Sequence, residues 1–430
     1  MKLVETSAPA THHTPDVLGT PARLTAVALL ALLGWAAIVA PGCRGHGDYT
    51  KEHVSGAKKK MDALKSGTEW QMAHQAFLAG DLDKAMRHCD YSISLNDNVA
   101  RSHVLRGRIF MEMGNLEQSS IAFSKAETLD PVNVDTQYFQ GILAERLTRT
   151  QDALTRYQKA AELDPSNSQY PVAAAEMLID LNRIADAKAY LVASRDRFDH
   201  SAGICQTLGQ IALLENDAEG AAKLFYEASL LAPENQAIIE DLANAQITLG
   251  KFAEAETILA RMVKVEKNSD RRDLRHLRAR CLTQLNRPVE ARTIYLDLTA
   301  DEQGGSDVEA WIGLAELSHT LRDNQRLKTS ATRLIAIAPE RSEGFSFMGL
   351  HYKKAGNLQA AAQNFDKAVQ IEGSPQHLLL LGMTLQEMGR PDDARRCYSA
   401  AQSLDPANTT AGQLLTSLER GSAVAGVTTE

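Results

Sequence analysis

Aromatic residues are scarce in this chain, and their scarcity argues against a β-sheet core. Only 5% of the 430 residues are aromatic, although 44% are hydrophobic. Strands are enriched in aromatic and β-branched residues, whereas close-packed helices rely on small and unbranched apolar residues such as Ala and Leu. The composition therefore favours an all-α fold.

The sequence also lacks the usual signatures of a catalytic or metal-binding site. It contains no Gly-rich phosphate loop, no His-Glu-x-x-His and no paired Cys-x-x-Cys. We therefore expect no enzyme activity, no cofactor, no metal and no small-molecule substrate. Four of the five cysteines lie in separate parts of the chain and are expected to be small core residues: Cys89, Cys205, Cys281 and Cys397.

Basic residues are not in excess, since the formal net charge is −8. Proteins that bind nucleic acid usually carry a basic face, so we expect no nucleic-acid partner. One basic cluster contains Arg271, Arg272, Arg275, Arg278 and Arg280. We prefer to interpret it as a solvated helix paired with nearby acids. The alternative, nucleic-acid binding through this cluster, would show steep salt dependence.

A small residue recurs every 34 residues or so, each time within an apolar stretch of helical spacing. The series is Ala73, Gly107, Gly141, Ala175, Gly209, Ala243, Ala279, Ala315, Gly349 and Gly382. Repeats of this length indicate architectures in which each unit is one supersecondary motif that stacks on its neighbours. The sequence therefore predicts ten units between about residues 66 and 408.

Each unit is predicted to be a helix, a tight turn and a second helix. About twelve positions after the first small residue, a second slot holds Ala85, Ser119, Ala153, Ala187, Ala221, Ala255, Ala291, Leu327, Ala361 or Ala394. The turn often carries Gly followed by Asp or Asn, which suit a left-handed cap and a helix start. Large residues follow on the second helix and are expected to fill the space against the following unit: Phe123, Tyr157, Phe225, Tyr295, Phe365 and Tyr398.

This pattern resembles the tetratricopeptide repeat (TPR) family over about four fifths of the chain. The resemblance implies a right-handed superhelical solenoid of about ten helix-turn-helix units, whose first helices line a concave, ligand-holding surface. We predict repeats one to six at 66–270, repeats seven to ten at 271–408, a capping helix at 409–421 and a disordered tail at 422–430. The slack segments near 267–272 and 301–307 are candidate hinges, but simple loop insertion is the preferred interpretation.

The register of the repeats places a set of first-helix side chains on the concave surface. These predicted groove residues are Val104, Arg108, Tyr138, Ile142, Glu145, Val172, Glu176, Ile179, Gln206, Gln210, Leu213, Glu240, Asn244, His276 and Arg280. The early members are partly apolar and the later ones more charged, which suits an amphipathic helix or an extended peptide. For Val104 and Val172, packing against neighbouring first helices is an equally good interpretation.

The N-terminal region predicts attachment to a membrane. Residues 1–23 are predicted to be disordered, and residues 24–42 include a charge-free apolar run at 24–40. The following Ala-Pro-Gly-Cys resembles a bacterial lipoprotein signal, which implies lipidation of Cys43. An uncleaved membrane anchor, or an N-terminal apolar helix buried in the protein, are the other two interpretations.

The side of the membrane is left open by the sequence. Residues 43–65 are predicted to be a linker, helical near its end, and this linker is rich in lysine. If the apolar run is an uncleaved anchor, those lysines would place the repeats in the cytoplasm. A lipoprotein would carry them outside instead.

We therefore predict a membrane-anchored TPR scaffold in a bacterial cell envelope, with a protein or peptide partner in the groove. Its role would be the assembly or recruitment of a membrane-associated or secretion-type complex. The alternative is the regulatory repeat subunit of an enzyme complex, such as a machine that handles glycosyl groups or polysaccharide.

Overall fold

A computed structural model describes residues 48–268, 270–300 and 303–427, and this part of the chain contains helices and turns but no strand. The predicted segments 1–23 and 24–42, including the apolar helix, and the lipidation site Cys43 lie outside the described residues. None of the described helices is both long enough and apolar enough to cross a membrane. The chain divides into two compact units, one ending at Asp97 and one starting at Asn98.

The first unit is a helical hairpin that corresponds to the first predicted repeat. It consists of α1 (Asp48–Leu78) and α2 (Leu82–Leu95). The two helices approach closely because Ala73 and Ala85, the two small residues of the repeat, are both fully buried. The segment 43–65, predicted to be a linker with helix near its end, is helical from Asp48 onward.

The second unit contains the remaining repeats. Its helices are α3 (Ala100–Glu112), α4 (Leu116–Leu129), α5 (Val134–Arg146), α6 (Thr150–Leu163), α7 (Gln169–Asp180), α8 (Ile184–Arg195), α9 (Ala202–Leu214), α10 (Ala218–Leu231), α11 (Gln236–Thr248), α12 (Phe252–Met262), α13 (Arg272–Gln284), α14 (Pro288–Ala300), α15 (Val308–Thr320), α16 (Asn324–Ile337), α17 (Ser342–Lys354), α18 (Leu358–Ile371), α19 (Pro375–Glu387), α20 (Pro391–Leu404) and α21 (Thr409–Val427). Successive pairs from α3–α4 to α19–α20 are repeats two to ten, which confirms the predicted all-α repeat architecture. The segment 422–430, predicted to be a disordered tail, is helical as far as Val427.

Each repeat reverses direction at one residue in the left-handed region of the backbone. Counting both units, these residues are Gly80, Gly114, Thr148, Asn182, Asn216, Gly250, Asn286, Arg322, Gly356 and Gly389, with φ between 55° and 78°. Each of them lies seven positions after the first small residue of its repeat. Gly and Asn fill eight of the ten positions, because they adopt this conformation at the lowest cost. The position of the turn is thus encoded by residue type in eight of the ten repeats.

The first small residue of a repeat is matched in size to a residue 16 positions later on the second helix. A glycine faces an aromatic ring in Gly107–Phe123, Gly141–Tyr157, Gly209–Phe225, Gly349–Phe365 and Gly382–Tyr398. A methyl group on any of these glycines would lie 2.5–2.6 Å from the Cε1 atom of the ring, closer than atoms pack in a protein interior. Where the first residue is Ala, the partner is usually smaller, as in Ala175–Leu191 and Ala243–Leu259. Size matching therefore holds the two helices of a repeat together.

These rings lie against the first helix of their own repeat, and they also share a core cluster with residues of the following unit, as predicted. Phe123 clusters with Leu143, Tyr157 with Ala175 and Phe225 with Ala243. The missing Cβ of the glycine opens a slot for the ring within the repeat. Tyr295 differs, because Ala279 occupies the matching position in its repeat. Its ring lies against Gly313 of the next first helix, where a Cβ atom would clash with it.

The two irregular joints are short 3₁₀ turns fixed by side-chain hydrogen bonds. At Glu266–Asn268, the buried Asn268 amide donates to the Met262 carbonyl oxygen at 2.9 Å. At Gly304–Ser306, the Trp311 Nε1 donates to the Gly304 carbonyl oxygen at 2.8 Å. These bonds favour loop insertion over hinges as the interpretation of both joints.

Candidate protein-binding surface on the first helices

The predicted groove residues all lie on the first helices of repeats two to seven. Fourteen of the fifteen have a partly or fully exposed side chain. Val104 is different, because it is 5% exposed and lies in the core with Phe123 and Leu143. Its position fits the packing interpretation, whereas Val172 remains partly exposed.

Six of the predicted residues come together in repeats three and four. We refer to this set as the Tyr138 patch, which consists of Tyr138, Ile142, Glu145, Val172, Glu176 and Ile179. Its four uncharged members, three aliphatic and one aromatic, rest on the same core cluster but stay partly exposed. The Tyr138 ring centroid lies 5.2 Å from that of Tyr170 and 5.7 Å from that of Tyr157, and these contacts hold the ring in place.

Carboxylates lie beside these apolar side chains. The Tyr157 hydroxyl donates to Glu145 Oε2 at 2.8 Å, which orients that carboxylate. Burial by the surrounding protein raises the pKa of Glu176, and the negative charges of Glu145 and Asp180 raise it further. Among the described residues, no basic side chain forms an ion pair with Glu145, Glu176 or Asp180. The Tyr138 patch thus combines apolar surface with uncompensated negative charge.

Tyr138 itself is affected by the same charges. Burial raises the pKa of its hydroxyl, and Glu145 and Glu176 raise it further, so the side chain is neutral at physiological pH. Sequence analysis missed the contributions of Tyr170 and Asp180 to this site. Both lie on α7, one near each end, and only the packing of α7 against α5 brings Tyr170 to the Tyr138 ring.

Polar groove residues in repeats five and six are bonded to the following repeat. The Gln206 Nε2 donates to Asp241 Oδ2 at 2.8 Å, and Arg271 lies 2.9 Å from Glu240 Oε1. These bonds connect adjacent first helices. Gln206 and Glu240 therefore serve the contact between repeats in this structure, while Gln210, Leu213 and Asn244 remain exposed without such bonds.

A charged cluster that sequence analysis missed centres on Asp307. Arg272 lies 2.5 Å and His276 Nε2 lies 2.9 Å from Asp307 Oδ2, and the other carboxylate oxygen accepts from the Ala310 backbone N–H at 3.0 Å. Burial opposes ionisation of Asp307, but these hydrogen bonds hold its pKa below the usual range. The sequence feature that could have indicated Asp307 is its position directly before an apolar helix, which is typical of an N-cap residue.

The basic cluster is largely neutralised by acidic side chains. Arg271 and Arg272 bind the acids described above, and Arg278 Nε lies 2.9 Å from Glu256 Oε1. The interpretation as a salt-bridged helix is confirmed for these three residues. Arg280 is exposed and forms no ion pair within the described part of the chain.

The described residues offer no arrangement suited to metal binding or thiol chemistry. Within 48–268, 270–300 and 303–427, no group of three or more His, Cys, Asp or Glu side chains is placed to hold a metal ion. Among the described residues, Cys205, Cys281 and Cys397 are free thiols, and of these only Cys397 is partly exposed, while Cys89 is buried. Burial raises the pKa of Cys205 to about 11, so it remains a protonated thiol at neutral pH.

Regular helix-turn-helix repeats, with one left-handed turn and one size-matched pair in each, define an α-helical repeat protein. Models of the tetratricopeptide repeat match residues 104–168, 212–275 and 378–408. The chain therefore contains tetratricopeptide repeats in these three segments. A sequence comparison with curated proteins finds no match.

Several solved structures are similar to parts of this chain. A tetratricopeptide repeat protein from Parabacteroides merdae is 17% identical, with a TM-score of 0.45 over 58% of this chain and 98% of that one. Pseudomonas aeruginosa PilF is 13% identical, with a TM-score of 0.43 over 48% of this chain and 94% of that one. YrrB, a TPR protein with an unusual peptide-binding site, is 17% identical, with a TM-score of 0.35 over 44% of this chain and 95% of that one. No functional conclusion follows from similarities at this level.

Proposed function

We propose that this chain is a membrane-attached scaffold that holds a protein partner against the Tyr138 patch, acting by binding and not by catalysis. A TPR array implies a scaffold for protein–protein interaction, since stacked repeats create an extended binding surface. The apolar run at 24–40 and the motif ending at Cys43 support attachment to a membrane. Its role would be to recruit or assemble a membrane-associated complex in a bacterial envelope.

The observation that carries the proposal is the composition of the Tyr138 patch. Partly exposed apolar side chains favour contact with apolar side chains of a partner. Carboxylates that lack a cation, and that are partly removed from water, favour a basic residue. The face of the Tyr138 ring adds an attraction for the same cation. We infer that the bound segment carries a Lys or Arg next to apolar side chains.

The proposal is tested by recovering partners from solubilised membranes with the full chain as bait. The variant Tyr138→Ala with Ile142→Ala removes the apolar part of the patch. Its matched control is Tyr226→Ala with Leu230→Ala on the second helix α10, where the same spacing of an aromatic and an aliphatic residue is exposed. We expect Tyr138→Ala with Ile142→Ala to reduce recovery of the partner at least tenfold, as substitutions at interface hot spots do. The control variant should recover the partner as the wild type does. Equal recovery by both variants, at equal helicity, would contradict the proposal.

A second variant tests the charge of the partner without removing apolar surface. A bound cation stabilises the Glu176 carboxylate, so affinity is highest above the raised pKa of Glu176 and falls as the pH drops through it. Glu176→Gln should weaken partner binding at neutral pH and flatten this pH dependence. Identical pH profiles for the wild type and Glu176→Gln would show that the partner presents no cation here.

A further inference from the structure

The N-terminal part of α1 extends beyond its hairpin partner. Within the first unit, the Ser66 hydroxyl donates to the Ser92 carbonyl oxygen at 2.9 Å, and α2 ends soon after, at Leu95. Because the two helices are antiparallel, most of the segment 48–65 lies past the end of α2. At 1.5 Å per residue this segment is about 27 Å long. It is far longer than the hairpin of a repeat requires.

This extension presents an exposed apolar stripe. Val54 is 58% exposed, Met61 is 52% exposed and Leu64 is 71% exposed. With Ala57, they follow a spacing of three, four and three residues, which places all four on one face of a helix. Single exposed apolar residues are ordinary, but an aligned set on a segment that extends beyond its hairpin partner indicates a binding face.

Lysines border the stripe on both sides. At 100° per residue, Lys58 and Lys65 lie along one edge of the stripe and Lys60 lies along the other. All three side chains are exposed, and none forms an ion pair among the described residues. Residues 51–65 contain five lysines and two acids, in a chain whose net charge is −8. The positive charge is therefore concentrated at the edges of the apolar stripe.

We propose that residues 54–65 of α1 lie along an anionic lipid surface, with the apolar stripe in the interface and the lysines at the phosphate groups. Long lysine side chains can keep their ammonium groups in water while their stems follow apolar surface. The inference rests on the proposed membrane attachment, because the apolar run ends at Ala40 and α1 begins at Asp48. Residues 41–47 separate them, and the eight Cα-to-Cα steps from residue 40 to residue 48 span at most about 28 Å, so the attached chain keeps α1 near the bilayer.

The charge of the lysines favours an anionic bilayer, rather than a second copy of this chain, as the surface that covers the apolar stripe of α1. If two α1 helices met through this stripe, the lysines bordering it would face each other across the contact and repel. An anionic bilayer attracts each lysine and also accepts the apolar stripe. An acidic protein helix would satisfy the same charges, and the experiment below separates it from lipid.

The test is hydrogen–deuterium exchange of the full chain reconstituted into vesicles of two compositions. One contains phosphatidylcholine alone, and the other contains phosphatidylglycerol as about a third of the lipid. We expect peptides from residues 52–66 to exchange more slowly in the anionic vesicles. Lys58→Gln with Lys60→Gln and Lys65→Gln should abolish the difference, since each lysine contributes about fivefold to binding. Gln and Lys have similar helix propensities, so this variant retains the helix.

A matched control removes the same number of charges elsewhere in the chain. Lys223→Gln with Lys251→Gln and Lys328→Gln neutralises three exposed lysines of the second unit that have no ion pair among the described residues. This control should retain the protection of residues 52–66. A further variant, Met61→Gln with Leu64→Gln, should lose protection while keeping all the lysines. Loss of protection in the control, or retention in the lysine variant, would overturn the inference.

Vesicle flotation after an alkaline wash measures membrane attachment separately. If the chain floats but residues 52–66 exchange equally in both lipids, attachment stands and the lipid-facing helix is refuted. If the chain is washed off but anionic vesicles still protect these residues, the helix binds lipid and the proposed attachment is refuted. Protection that appears only when membrane proteins are added would identify an acidic protein as the occupant and overturn the inference.

Discussion

Gly209→Ala offers the sharpest test of the size matching within a repeat. The Cβ atom of an alanine here would lie 2.6 Å from Cε1 and 2.8 Å from Cδ1 of Phe225, a ring that is completely buried. Forcing a methyl group into such a core costs about 1–3 kcal/mol. Alanine gains about 1 kcal/mol over glycine in helix propensity. We therefore expect a net loss in the free energy of unfolding of up to about 2 kcal/mol.

The neighbouring repeats supply the compensating change. Repeats four and six place Ala175 opposite Leu191 and Ala243 opposite Leu259. Phe225→Leu alone should also be destabilising, because it leaves space beside Gly209 that nothing fills. In the double variant the new methyl group occupies part of that space. The loss should be smaller than the sum of the single losses by about 1–2 kcal/mol.

Urea denaturation followed by circular dichroism measures all three variants, and hydrogen exchange of α9 and α10 localises the effect. Gly203→Ala is the matched control in the same helix, because its Cβ would meet Val172 at 3.5 Å and the Ser201 hydroxyl at 3.9 Å, both ordinary contacts. That control should be neutral or stabilising. Size matching would be refuted if Gly209→Ala were more stable than the wild type by the full helix-propensity gain of alanine. It would also be refuted if the losses in the free energy of unfolding from Gly209→Ala and Phe225→Leu were simply additive in the double variant.

Three further substitutions test the turns and the charged cluster. Thr148→Gly should raise the melting temperature through a gain of about 0.5–1 kcal/mol, because a β-branched residue at φ 56° is strained. Asn182→Gly, at φ 58°, should gain less, and an equal gain at both sites would contradict this explanation. Asp307→Ala should cost about 3 kcal/mol, because Arg272 and His276 lose their acceptor and α15 loses its cap. The pKa of Asp307 is lower in the folded protein than in the unfolded chain, so its carboxylate contributes its full stabilisation above the unfolded pKa. That stabilisation is lost as the pH falls through the folded pKa. Urea denaturation of the wild type and Asp307→Ala across this pH range should show the difference in their free energies of unfolding becoming smaller.

The repeat architecture could be predicted because its signals are local. The small residues and the left-handed Gly or Asn turns recur at fixed distances within a repeat, and each needs only its own hairpin to be satisfied. Thr148 and Arg322 occupy two of the ten turn positions without the usual residue type, yet both adopt the left-handed conformation. The regular spacing of the surrounding units imposes the turn even where the residue itself disfavours it.

The candidate site was only partly predictable for the opposite reason. Register assigned Tyr138 and Glu176 to the first-helix surface, and the structure leaves both side chains accessible there. Register also allowed Val104 either on that surface or packed against neighbouring helices, and its side chain is buried in the core. Whether a first-helix side chain faces solvent or a neighbouring helix depends on the rotation of each helix against the next. Hydrophobic periodicity fixes that rotation only approximately.

The amino-acid sequence by itself determined the number of repeats, their turns and their all-helical character, because these features follow from backbone conformation and short-range size patterns. Only the tertiary structure decided which side chains meet across helices. It placed the Tyr295 ring against Gly313 of the following repeat and gave Asp307 its two basic partners. It also left the lysine-bordered stripe of α1 exposed. Those contacts depend on distances between helices, and no local pattern in the chain encodes them.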